Sequence, residues 1–153
     1  MKHLTTMKKL LVALDATAAD RLVLDHARAL AKAFGARLRL VHVAAPHPDF
    51  IGYEPGPQYI RDARAEELKH EHSELLRCRT ELEAQGLEVE TRLIMGPTVE
   101  TLTTEANDLQ ADLIVMGSHG RRGLARLFMG SVSENVLKEH RWPLYIIPTH
   151  DEP

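Results

Sequence analysis

Asp112-Leu113-Ile114-Val115-Met116-Gly117-Ser118-His119-Gly120, followed after nine residues by Gly130-Ser131, is the stretch that decides how this chain folds. The apolar run Asp112–Met116 has the length and character of a buried strand. It passes through small residues, and a helix is predicted from Val132 to about His140. Strand, glycines, helix is how an α/β protein builds an anion site. Glycines let backbone N–H groups approach without a Cβ in the way, and a helix start supplies free donors and partial positive charge.

Working outward, the same alternation recurs. Lys9–Leu14 is a short apolar strand ending at Asp15. From about Ala19 to Phe34, residues Val23, Ala27, Leu30, Ala31 and Phe34 fall at helical spacing, and Gly35 is the expected C′ stop. Arg37–Val43 is a second strand. Ala45–Gln58, with four prolines and two glycines, is a long loop. Tyr59 to about Gln85 is a charged helix with Ile60, Ala63, Leu68, Leu75 and Leu82 on one side and Gly86 as its stop. Leu87–Met95 alternates as an edge or near-edge strand. Gly96-Pro97 opens a helix carrying Val99, Leu102, Ala106 and Leu109. Leu144–Ile147 is the last strand. Alternating strands and helices predict one doubly wound α/β domain over residues 1–153, its core at about 8–149, with a parallel sheet covered on both faces.

The bulk properties suit that reading. The chain has 153 residues, 44% hydrophobic and 27% charged, with net charge −3. That balance does not ask for nucleic acid or an anionic membrane as partner. The lone cysteine, Cys78, excludes an internal disulfide and reads as an incidental thiol. Met1–Lys9 carries no signal-peptide core and no apolar run reaches membrane-spanning length, so a cytoplasmic protein without membrane insertion is expected.

Gly117, Gly120 and Gly130 could each be a turn residue. Together, after a buried strand and before a helix, they favour phosphate. Ser131-Val132-Ser133-Glu134 is also a capping box, with Ser131 as N-cap and Glu134 bonding back. An N-cap serine sits where phosphate would meet the helix, so both roles fit Ser131. Ser133 adds a hydroxyl and an early-turn N–H, and Val132 its backbone. Glu134 is expected to face solvent, since its charge would oppose an anion. Arg121, Arg122 and Arg126, among Leu124, Leu127 and Phe128, read as an amphipathic segment with a basic face. His42, His70, His72 and His140 read as incidental, and no metal site is expected.

With Asp15, the glycine motif and Trp142-Pro143-Leu144-Tyr145-Ile146-Ile147 in view, the chain resembles the universal stress protein family, from Lys9 to Pro148. The pattern Gly117-x2-Gly120-x9-Gly130-Ser131 matches that family's nucleotide-binding branch. The resemblance implies a five-stranded parallel sheet in the order 3-2-1-4-5, with ATP, and Mg²⁺ with it, in the crevice between the first and fourth strands. That crevice is where open α/β sheets bind ligands. It places Asp15 against a ribose hydroxyl or a phosphate-bound metal, the Val43 backbone at the adenine edge, Met116 on the base and His119 near the phosphates. It also implies a homodimer joined through Leu144–Ile147. Two departures stand out: Ala13 replaces a proline of the family pattern, though Ala13 remains a nucleotide-site residue, and Ala16 replaces a glycine.

Three functions follow. The first is an ATP-binding regulatory stress-response protein, a homodimeric switch with slow or no hydrolysis and an unidentified protein partner. The second is a slow ATPase or an adenylating enzyme. The Ser-Gly-Gly-x-Asp-Ser loop of adenylating relatives is missing from Leu14–Ala19, and no nucleophile–base pair is legible, so no catalytic residue is assigned. The third is a dimeric interaction module with a vestigial nucleotide site, since an apolar edge strand needs cover.

Overall fold

β1 (Lys9–Leu14), β2 (Arg37–Ala44), β3 (Val89–Met95), β4 (Leu113–Gly117) and β5 (Leu144–Ile147) pair in parallel in the order β3-β2-β1-β4-β5. This is the predicted order. The computed structural model describes residues 6–44, 58–118, 131–139 and 141–149. β1 lies at the centre because it is buried on both faces: Leu10, Leu11 and Val12 are wholly inaccessible to solvent. A strand covered on both sides needs an unbroken apolar run rather than alternation.

α1 (Asp20–Phe34) and α2 (Gln58–Glu83) cover one face, packing Val23, Ala27, Leu75 and Leu82 on Leu10, Val12, Leu38 and Leu40. α3 (Thr98–Leu109) and α4 (Ser131–Lys138) cover the other, packing Leu102, Ala106 and Val136 on Leu11, Val41, Ile114 and Met116. Gly35 ends α1 in the left-handed region (φ +62°), its N–H donating to Ala31 O. That geometry carries no Cβ penalty only in glycine. Trp142 is buried, with the Arg141 guanidinium 4.6 Å above its ring.

Two expected core positions lie outside the core. Phe34 is exposed, because the last residue of α1 has turned past the apolar stripe. On α2 the expected Ala63 is also exposed, and the buried stripe runs instead through Arg64, Glu71, Leu75 and Leu82. Its first half is therefore charged. Element bounds shift by a residue or two elsewhere. β3 starts at Val89 because the Leu87 N–H still donates to Leu82 O in the turn that closes α2.

Near the β3 edge, Arg39 is buried on the α3 side. Its guanidinium lies 2.7 Å from Glu90, 3.0 Å from Glu105 and 2.9 Å from Asp108. Burial works against its charge, but these three carboxylates outweigh it and raise its pKa. Arg39→Met fills similar volume and leaves three carboxylates facing each other. We expect a loss of roughly 2 kcal/mol, less than for a fully buried triad because Asp108 is largely exposed, measured by urea denaturation.

Candidate functional site

Where the strand order reverses, β1 is followed by α1 on one face and β4 by α4 on the other. At those carboxyl ends the α3–α4 face changes character. Deeper in, Leu11, Val41 and Ile114 are fully buried, whereas Ala13 and Val43 are only half-buried. Ala13 pairs in register with Val41, and Val43 follows two residues on, on the same side of the sheet. Together they form a small apolar shelf, with Met116 buried beside it in the same cluster. Val132 is half-buried against that cluster, and Ser133 is buried in the first turn of α4. Glu134 faces solvent, 3.4 Å from Lys138.

Gly117 ends β4 half-buried. A Cβ there would lie 3.0 Å from Thr149 Oγ1 and 3.1 Å from its Cγ2. The Ser118 N–H donates to Ile147 O, and the Thr149 N–H donates to Ser118 Oγ at 3.0 Å. The segment after β5 is thus laced over the end of β4, a packing demand for glycine that the motif alone did not disclose.

The β1–α1 turn is held by its own side chains. Asp20 accepts the Asp15 N–H on Oδ1 (3.0 Å) and the Ala16 N–H on Oδ2 (2.9 Å). The Thr17 hydroxyl donates to Asp15 Oδ1 at 2.6 Å. Ala16 adopts φ +60°, the left-handed conformation that the family's glycine takes without strain. Asp15 does not cap α1. The N-cap position is Ala19, which makes no side-chain bond. Burial pushes the Asp20 carboxyl up from 3.8 to about 8 against the two N–H bonds that favour its ionised form, and the neighbouring Asp15 charge adds to the rise.

His42, taken as incidental in the sequence, is buried at the end of β2. Its Nδ1 donates to Leu14 O (3.0 Å), and Nε2 lies 3.1 Å from Glu71 Oε2. A carbonyl can only accept, so Nδ1 is the donor in that bond. The sequence signal was Glu71 sitting on the stripe shared by Leu75 and Leu82. The pair forms the floor of a cavity of about 560 Å³ between α1 and α2. Cys78 lies on its wall, half-buried, and burial pushes its thiol up, away from the reactive thiolate. Many of that cavity's charges are matched internally, Arg77 with Glu74 and Glu81, and Arg28 with Asp25. It lies on the opposite face from the Ala13–Val43 shelf.

His119, Gly120, Gly130, Arg121, Arg122, Arg126 and His140 lie outside the described residues, as do residues 45–57 and the side chains of Ile60 and Ser131. Among the described residues no group of three or more ligating side chains could hold a metal ion, and no helix is long and apolar enough to cross a membrane.

A model of the universal stress protein family matches residues 6–148. A universal stress protein of Thermus aquaticus is 33% identical over 141 residues, covering 92% of this chain and 98% of the relative. The crystal structure of a universal stress protein family member from Burkholderia pseudomallei superposes with a TM-score of 0.71 at 31% identity, covering 95% of this chain and 98% of that one. A universal stress protein solved in complex with cAMP superposes with a TM-score of 0.65 at 25% identity, covering 95% of this chain and 100% of that one.

Two outcomes are expected from the β1–α1 turn. Ala16→Gly relieves left-handed strain but loosens the unfolded chain, for a net gain of about 0.5 kcal/mol in urea denaturation. Asp20 binds its proton more tightly folded than unfolded, so its contribution is complete below 3.8 and is lost as pH rises through about 8. The melting temperature should therefore fall over that window, and Asp20→Asn should flatten the decline.

Proposed function

This chain belongs to the universal stress protein family, and on that premise we propose that it is a regulatory protein that binds an adenine nucleotide, ATP, at the carboxyl ends of β1 and β4. The observation that carries this reading is the Ala13–Val43 shelf, apolar and half-open where the strand order reverses, with Asp15 two residues beyond Ala13 along the chain. A purine needs a flat apolar surface, and small side chains at Ala13 and Val43 leave room for one. The relative solved with cAMP supports an adenine nucleotide as the ligand class.

In this reading Val43 lends its backbone to the base edge and Met116 packs on it. Asp15 meets a ribose hydroxyl or a phosphate-bound Mg²⁺. The phosphates lie against the backbone of Gly117, Gly120, Gly130 and Val132 and the hydroxyls of Ser131 and Ser133, with His119 nearby. ATP would bring Mg²⁺ with its phosphates. No catalytic residue is assigned, and binding rather than turnover is the function.

A second copy of the chain is the proposed partner. β5 pairs with β4 on one side, and Leu144, Tyr145 and Ile146 are half-buried at the sheet edge. An uncovered apolar edge is a liability that a two-fold partner removes.

Native mass spectrometry of the purified protein should report bound adenine nucleotide and a dimer together. Titration with Mg-ATP should saturate, and Gly130→Val should weaken it about tenfold or more by blocking backbone N–H contacts. No binding at millimolar ATP would dispose of the nucleotide reading, and a strict monomer at micromolar protein would dispose of the dimer.

A further inference from the structure

We propose that Asp20 is the positioning residue of this nucleotide site, holding Asp15 in its binding orientation from behind; the inference rests on the nucleotide reading above. Three observations carry it. Asp20 grips the turn at two consecutive backbone N–H groups, one on each carboxyl oxygen, at 3.0 and 2.9 Å. One of them belongs to Asp15 itself. The other belongs to Ala16, whose φ of +60° an alanine keeps only where its surroundings over-determine it. Finally, the Asp15 carboxylate accepts the Thr17 hydroxyl at 2.6 Å, within the same turn.

Asp20 does not itself reach the shelf. Its side chain lines the cavity between α1 and α2, with Leu14 and His42, whereas Ala13 and Val43 open on the α3–α4 face. Its influence on a nucleotide must therefore pass through the turn. Without Asp20 the two N–H groups lose their acceptor, Ala16 can relax toward negative φ, and Asp15 swings with it. Burial also raises the Asp20 pKa, so the carboxyl is held in a confined place rather than a solvated one.

The test is a double-mutant cycle read by Mg-ATP titration of the full chain. Wild type, Asp15→Ala, Asp20→Ala and the double variant are compared, with Asp20→Asn as the conservative replacement and thermal melting as the fold control. We expect each single alanine variant to weaken binding about tenfold and the double variant to be no weaker than the singles, because both changes remove one interaction. Asp20→Asn keeps an acceptor for one N–H and should recover part of the affinity; if Asp20→Ala does not fold, Asp20→Asn takes its place in the cycle. A purely structural Asp20 would lower the melting temperature and leave affinity intact, which overturns the proposal. Losses that multiply in the double variant overturn it too. Wild-type protein that binds no ATP sinks the nucleotide reading and this inference together, whereas sound wild-type binding with an unaffected Asp20 variant sinks this inference alone.

Discussion

The structure depends on β1 being paired along both edges and buried on both faces. β2 runs in register beside it from Lys9 to Leu14, and β4 beside it from Leu10 to Val12. Asp112 locks the start of β4 to the start of β1. Its Oδ2 accepts the N–H groups of Lys8 and Lys9 at 2.9 and 3.0 Å, and its own N–H donates to Lys9 O at 2.8 Å. With the amino ends clamped, the only freedom left at the carboxyl ends is where each loop goes. α1 follows β1 onto one face and α4 follows β4 onto the other, and the handedness of parallel crossovers permits no other arrangement. The crevice is thus a consequence of topology before any side chain is considered.

Apolar periodicity carried most of this architecture in the sequence. β1 and β5 occupy their predicted bounds, and the strand order is the one the family resemblance implied. Buried polar side chains left no mark in that periodicity. Arg39, His42, Arg64 and Glu71 are all buried. Arg39 is buried because carboxylates from β3 and α3 converge on it, and His42 because Leu14 O and Glu71 receive it from two other elements. Those partners lie 28 to 69 residues away along the chain. No local pattern announces such a pair. Conversely Phe34 and Ala63 fit a helical stripe by spacing, yet the helix end and the charged half of α2 turn them outward.

The candidate site was legible in a different way. Ala13, Val43 and Met116 were named through the family pattern, and the fold brings them to one cluster on one face. What spacing could not reveal was why that cluster is accessible at its end, since accessibility depends on which helix stops short of covering it. Asp20 was overlooked for a related reason. An acidic residue in the first turn of a helix is ordinary, and its usual role is to favour the macrodipole. Here it reaches back to Asp15 and Ala16, a bond set by the left-handed turn that alanine conceals and glycine would have advertised.

The two faces therefore differ in what they offer a ligand. Between α1 and α2 there is ample volume, but many of its charges are engaged with one another. A ligand reaching its floor would compete with the buried His42–Glu71 pair, whereas the Arg77 pairs with Glu74 and Glu81 are exposed. On the α3–α4 face the surface that Ala13 and Val43 present is apolar, so a flat ring gains by covering it. Parting that buried pair would cost more than the contact that displaces it returns, which favours the apolar face. The strained turn at Ala16 stands where the two meet, at the end of the central strand, held by the Asp20 carboxyl from the α1–α2 side.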